Sequence, residues 1–254
     1  MKILTDTHMH TVASHHAYST VHDYWQFAAA RGLQLFGVTD HAPDMPDGAH
    51  GWHFGNMKVL PRVHDNIALL RGIEANIQPP EGGLGLPEAM YPFLDYVIAS
   101  FHEPVFPPSA DTAANTRAVI NTIETGQCQI LGHLGNPNYP IDHEAVVRAA
   151  RDHNVLIEIN NSSFTHSRLG STPNCLHLME LVDKLDWKVS FGSDSHSAFT
   201  LGEFGACIEH AERIGFPEHR IVTANAPRFL AFLAEHDKPV AAELSDWAAQ
   251  LSGH

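Results

Sequence analysis

Cysteine is scarce in this chain of 254 residues: Cys128, Cys175 and Cys207 stand far apart, with no C-x-x-C pair. That spacing supports neither a disulfide framework nor a thiolate zinc knuckle, so the three read as small interior residues. Any metal must then be held by imidazole and carboxylate. Basic residues are few as well, with 15 Lys+Arg against 29 Asp+Glu and a formal charge of −14. A chain this acidic, without a basic strip, lacks what non-specific nucleic-acid binding requires. No stretch approaches the roughly 18 consecutive apolar residues of a membrane span. The opening MKILTDTHMH turns polar before an apolar signal region develops, so the expected setting is the cytoplasm. Ser/Gly linkers, charge blocks and internal repeats are missing too, which favours a single domain over residues 1–254, a length that α/β barrels commonly reach.

Histidine is what the chain has in excess: 20 residues, more than lysine and arginine together. The hydrophobic pattern predicts seven short strands, at Ile3–Thr7, Leu35–Asp40, Leu69–Glu74, Tyr96–His102, Gln129–His133, Leu156–Asn160 and Val189–Asp194. Helical spacing falls between them, at Val21–Arg31, Ala113–Thr125, His143–His153, Asn174–Leu185 and Glu203–Ile214. Such alternation argues for βαβ units and a parallel sheet. Gly/Pro-rich stretches at Ala42–Asn66, Pro79–Pro92 and Glu103–Asp111 each follow a strand and read as walls or lids of a site.

The metal-type residues are placed non-randomly. Six of the seven predicted strands end on a histidine or carboxylate: His8 and His10, His41, Glu74, His102, His133, and Asp194 with His196. In a closed parallel barrel all those ends lie on one face, where active sites are built. In H-x-H and D-x-H, the period of two sends both side chains to one side, so that each pair can grip one ion. His15 and His16 are adjacent and face different ways, and His16 is the preferred ligand of the two. Asp6 and Asp40 precede ligand candidates and read either as acceptors that orient imidazoles or as turn caps. His50, His53 and His166 lie in loops near the strand ends and are candidates for a site role. His64, His143, His153, His177, His210, His219, His236 and His254 read as surface residues. Arg168, in the run NNSSFTHSR, is the best cation for a phosphate because its planar fork fits one.

In order along the chain, HMHTVASHHAYST, LFGVTDHAPDM, LRGIEAN, FHEPVF, GHLGNPNY, IEINNSSF and SFGSDSHSAFTLGEF resemble the PHP (polymerase and histidinol phosphatase) family, and within it the YcdX-type branch. The resemblance runs from the first strand to about Arg228 and is weak over Leu230–His254. It implies a distorted seven-stranded (β/α) barrel, a trinuclear metal centre usually read as zinc, and hydrolysis of phosphate esters. The implied ligands are His8, His10, Glu74 and Asp194 at one ion, His16, His41 and His196 at a second, and Glu74, His102 and His133 at a third. None is missing.

Those nine ligands, with Glu74 serving two ions, leave each of three ions between three and four protein donors. Catalytic zinc keeps a position open, whereas structural zinc is closed and often cysteine-rich. Manganese and iron also accept such mixtures of imidazole and carboxylate. The expected reaction is phosphomonoester hydrolysis of a small phosphorylated substrate by a metal-activated water, with Glu74, Asp194 and Arg168 as the catalytic residues. A phosphodiesterase or exonuclease on the same centre, a metal-buffering protein and a non-catalytic module are the rivals. The branch resemblance also implies a homo-oligomer, a trimer.

Overall fold

The computed structural model describes residues 1–251, so His254 lies outside the described residues. Seven parallel strands form one curved sheet in the order β1 (Thr5–Asp6), β2 (Leu35–Val38), β4 (Ile67–Asn76), β5 (Tyr96–Ser100), β6 (Ile130–Leu131), β7 (Leu156–Asn160) and β8 (Val189–Gly192). An antiparallel strand β3 (Val63–His64) flanks β4. Each predicted strand has its counterpart. β1, β6 and β8 are shorter than expected; β6 and β8 end where the chain leaves ladder geometry to present a site residue, with His133 and Asp194 in left-handed backbone at φ 34° and 55°.

The helices on the outside are α1 (Val21–Arg31), α3 (Thr112–Glu124), α4 (His143–Asp152), α6 (Thr172–Lys184) and α7 (Gly205–Ile214). Local signals set their ends. Thr20 and Asp23 form a reciprocal capping box at the start of α1, and Gly32 closes it in left-handed conformation. The pattern did not anticipate α2 (Gly51–Asn56) and β3, both inside the stretch Ala42–Asn66, nor α5 (Ser162–Thr165), α8 (Ala226–Glu235), α9 (Pro239–Glu243) and α10 (Ser245–Leu251). The tight turn at Asp65 and Asn66, with φ 49° and 60°, is what folds β3 back onto β4. Among the described residues no helix is long and apolar enough to cross a membrane.

The barrel closes differently at its two ends. At the carboxyl end the Met9–Ser195 pair joins the first and last strands, with His10 N–H donating to the Ser195 carbonyl at 2.8 Å. At the amino end the segment Val222–Ala224 is wedged between them: Leu4 N–H donates to the Ala224 carbonyl at 2.9 Å, and Phe191 N–H to Thr223 Oγ1 at 2.8 Å. This wedge is the distortion of the seven-stranded (β/α) barrel.

Strand alternation divides the core. Phe36, Leu69, Val97, Leu131, Ile157 and Phe191 face outward into the layer shared with the helices. Leu35, Leu70, Ile98, Ile130 and Leu156 face inward, where they meet Phe229, Leu233 and Trp247 of α8 and α10. The weakly matched C-terminal stretch thus seals the barrel floor and leaves the opposite mouth open. Tyr96 spans the interior and donates its hydroxyl to the Thr7 carbonyl at 2.7 Å. Its ring needs Gly37, where a Cβ would fall 1.9 Å from the phenol oxygen. Gly37→Ala is expected to destabilise the fold by about 1–3 kcal/mol, read as a lower urea midpoint; an unchanged midpoint would mean that the ring yields freely.

Candidate metal centre

Because the strands are parallel, inward positions near their carboxyl ends converge. β4 runs furthest, and its inward Glu74 sits fully buried at the centre. Glu74 Oε1 lies 2.9 Å from His133 Nε2, 3.3 Å from His8 Nε2 and 3.4 Å from His102 Nε2. Its Oε2 lies 3.0 Å from His41 Nδ1 and 3.4 Å from His10 Nε2. Asp194 Oδ1 is 3.4 Å from His10 Nε2, 3.6 Å from His8 Nε2 and 3.6 Å from His196 Nδ1. His196 Nε2 in turn lies 2.8 Å from His16 Nε2. The structure therefore joins all nine expected ligands into one cluster. Its tightest triads are His8, His10 and Asp194; His10, His41 and His196; and His41, Glu74 and His102, with donor atoms in each within 4.8 Å of one another. His10 and His41 are each shared by two triads, a closer interleaving than the partition implied by the family resemblance. His16 rather than His15 belongs to the cluster, its ring 4.5 Å from that of His196 and 5.1 Å from that of His41.

The donor set fits cations. His8 Nε2, both nitrogens of His10, His41 Nδ1 and Glu74 Oε2 are buried without a hydrogen-bond partner. Leaving one buried polar atom unsatisfied costs about 1–3 kcal/mol, so several of them converging on one spot is unfavourable unless a ligand satisfies them. The ionisation states agree. Burial works against ionised Glu74, but His102 and His8 hold its carboxyl well below the usual range. Burial likewise opposes ionised Asp194, and His8 and Arg168 outweigh it. Burial, reinforced by His41 and His196, keeps His10 neutral, and burial with the Arg168 charge lowers His133 to about 4. At His8 burial is overcome by Glu158, Glu74 and Asp194, which raise its pKa well above the ordinary imidazole value. The negative field that attracts a proton to His8 is the field a divalent cation satisfies.

The groups that hold these ligands were largely hidden in the sequence. Glu158, one layer below the strand ends on β7, takes a 2.6 Å hydrogen bond from His8 Nδ1 and accepts His133 N–H at 2.9 Å. A Cβ at Gly192 would lie 2.1 Å from Glu158 Oε1, so the glycine makes room for this carboxylate. Asp47 pairs with His16 Nδ1, and Asn76 Oδ1 with His102 Nδ1 at 2.7 Å. Fixing one ring nitrogen leaves the other aimed at the centre. The only available signal for Glu158 was the alternation that puts it on the inner face with Asn160.

Neither Asp6 nor Asp40 meets a ring nitrogen of the nine candidate ligands, although Asp6 Oδ1 accepts the His8 backbone N–H at 3.3 Å. Asp6 accepts backbone N–H groups of Ser193 at 3.2 Å and Gly202 at 2.8 Å. Asp40 accepts Thr11 N–H and Oγ1, both at 2.7 Å, and Ser14 Oγ at 2.8 Å, while Ser14 Oγ accepts His41 N–H at 3.0 Å. They tie loops together, the turn-capping alternative. Of the loop histidines, His53 meets Asp40 at 2.9 Å, His50 accepts Trp52 N–H at the start of α2, and His166 borders the mouth. Arg168, also left-handed at φ 51°, pairs with Asp194 Oδ2 and reaches Asn160 Oδ1 at 3.3 Å and Ser163 Oγ at 3.1 Å. A cavity of about 450 Å³ opens beside His16, Asp194, His196 and Arg168. A larger one of about 1120 Å³, along Trp52, Met90 and Phe93, touches none of the nine ligands.

Glu158→Gln keeps the size of the side chain but weakens its grip on His8, and is expected to lower metal affinity about 10–100-fold. Chelator competition measures this; wild-type affinity would show that His8 needs no carboxylate behind it.

A parallel barrel with a buried imidazole and carboxylate cluster at its strand ends defines a barrel with a candidate metal centre. Residues 6–162 match the PHP domain, and the chain belongs to that family. It is 51% identical over 241 residues to a probable phosphatase of Enterobacter sp. (strain 638), covering 95% of this chain and 98% of that protein. It is 49% identical to a probable phosphatase of Aeromonas hydrophila, covering 97% and 100%. Identity to the probable phosphatase YcdX of Escherichia coli O81 is also 49%, over 95% and 98% of the two chains. Among solved structures, a histidinol phosphate phosphatase from Lactococcus lactis, complexed with zinc, L-histidinol and phosphate, superposes with a TM-score of 0.63. That match covers 84% of this chain and 94% of the other at 17% identity, a likeness of fold.

Proposed function

We propose that this PHP-family phosphatase hydrolyses phosphate monoesters of small molecules with water as nucleophile, at a centre of three divalent cations, zinc foremost. The carrying observation is the convergence of nine ligand-type side chains, Glu74 and eight others, several with orphaned buried ligand atoms, in one cluster. Imidazole-rich donor sets favour zinc, and the carboxylates leave manganese and iron as alternatives. His8, His10, Glu74 and Asp194 would hold one ion, His16, His41 and His196 a second, and Glu74, His102 and His133 a third. When bound, such cations lower the pKa of water and neutralise charge on the phosphoryl oxygens.

The chain's own groups do the rest. Arg168, tied by Asp194, Asn160 and Ser163, is held at the cavity wall as an oriented cation for the phosphate. Glu158, Asp47 and Asn76 keep ligand rings from turning. Cysteine plays no nucleophilic part: burial pushes the Cys128 and Cys175 thiols up to about 12 and raises the Cys207 thiol well above its ordinary value, so all three stay protonated at neutral pH. The test compares an aryl phosphate monoester with the matching diester, using protein of known metal content. Faster turnover of the monoester is expected. Preferential cleavage of the diester would favour the phosphodiesterase alternative, and metal binding without turnover would favour the buffering one.

A further inference from the structure

We infer that the alcohol released by this enzyme is an uncharged, hydroxyl-rich small molecule, so that sugar and polyol phosphates are its substrate class. This rests on the phosphatase reading above and concerns the half of the cavity that the phosphate does not occupy. With the phosphate drawn to the metal side by Arg168, the leaving group faces Ser162, Ser167, Ser197 and Thr200, with Tyr18 and His166 at the rim. These four side chains border the cavity with hydroxyls, and a hydroxyl that already makes one hydrogen bond keeps acceptor lone pairs for the O–H groups of a polyol. The Ser162 and Ser167 hydroxyls are bonded to each other at 2.6 Å, and Thr200 Oγ1 donates to the Ser197 carbonyl at 3.1 Å and lies 3.0 Å from Ser195 Oγ, so these hydroxyls are fixed in place and offer mainly acceptor sites. Tyr18 is 82% exposed and offers a flat face to the carbon skeleton of a sugar.

What the wall excludes is equally specific. Among the described residues no aliphatic side chain borders the cavity, so a branched or extended aliphatic leaving group finds no aliphatic partner there. Among the described residues Asp194 is the only carboxylate bordering it, and both its oxygens are committed: Oδ1 toward His8 and His10, Oδ2 to Arg168. An ammonium on the leaving group would find no free anion and would face the Arg168 guanidinium. Like charges in a confined site discriminate against the wrong ligand. In the reaction the oxygen of water bonds to phosphorus, the ester P–O bond breaks, and the departing oxygen ends with a proton that originates from water. The products are inorganic phosphate and the free polyol.

The experiment uses the metal-loaded enzyme and measures kcat/KM for glycerol phosphate and a hexose phosphate against phosphoethanolamine and histidinol phosphate, with p-nitrophenyl phosphate as a reference monoester. The polyol and sugar esters are expected to exceed the amino-alcohol esters by at least about tenfold. Equal or inverted values, with p-nitrophenyl phosphate still hydrolysed, would overturn the substrate class and leave the phosphatase reading standing. Failure to hydrolyse any monoester would overturn both. Tyr18→Ala removes an exposed ring without touching the core, as a melting curve would check. It is expected to raise KM for the hexose phosphate severalfold at near-constant kcat, and an unchanged KM would overturn the sugar-facing role of that wall.

Discussion

Replacing Glu74 by alanine is expected to lower kcat/KM on the order of 10³-fold. Among the described residues Glu74 is the one side chain that approaches five of the imidazoles, through both carboxylate oxygens. Its loss removes a donor from two of the proposed ions and leaves those imidazoles without their shared anion. Lewis-acid stabilisation of a phosphoryl transition state is worth several kcal/mol, and each ~1.4 kcal/mol is a factor of ten in rate. Metal analysis of the same sample should show a reduced metal content. Glu74→Gln separates charge from volume: it keeps the packing, and should restore folding without restoring turnover. Wild-type kcat/KM in the alanine variant would reject the ligand assignment outright.

Stripping the metals should abolish turnover and lower the melting temperature in one step. Glu74, Asp194 and Glu158 are buried within a few ångströms of one another's partners, and Glu158 and Asp194 disfavour each other's ionised forms. Cations that bind only the folded chain stabilise it by mass action, about 4 kcal/mol for one site at a thousandfold excess over Kd. For a domain of this size 1 kcal/mol moves the midpoint by roughly 2–4 °C, so the loss of even one ion should cost about 10 °C. Elemental analysis before stripping should find about three equivalents per chain, and returning metal should restore both activity and midpoint. A content at or below one equivalent would reject the trinuclear proposal, and a chelated protein with full turnover would reject metal catalysis.

The candidate ligands were legible because strand ends are local features. His8 and His10, two residues apart, are read from the sequence as one side of one extended segment; Asp194 and His196 have the same spacing, although Asp194 is left-handed at φ 55° rather than extended. Adjacent His15 and His16 are harder, since their separation on opposite sides decides only that one belongs. The contact with His196, 180 residues away, brings His16 rather than His15 into the cluster. The carboxylates behind the ligands are a different case. Asp6 and Asp40 sit next to ligands in sequence and bind loops instead, whereas Glu158 is 150 residues from the His8 it holds and Asp47 is 31 from His16. Proximity along the chain is a poor guide to which acceptor a ring nitrogen meets. The helices α8 to α10 went unanticipated for a related reason: their apolar residues cover the barrel floor, a surface that exists only once the strands have curved together.

The sequence by itself determined the alternation of strand and helix, the chemistry of the donors and the end of the sheet on which they stand. Those follow from side-chain periods of two and 3.6 residues. Only the tertiary structure decided that His10 and His41 are shared between donor groups, that Glu158 rather than Asp6 or Asp40 meets a candidate ligand's ring, and that serine and threonine line the cavity beside Arg168. Closure of the barrel sets these, through the Met9–Ser195 pairing and the Val222–Ala224 wedge. Closure brings together residues more than a hundred positions apart, a relation that no local pattern encodes.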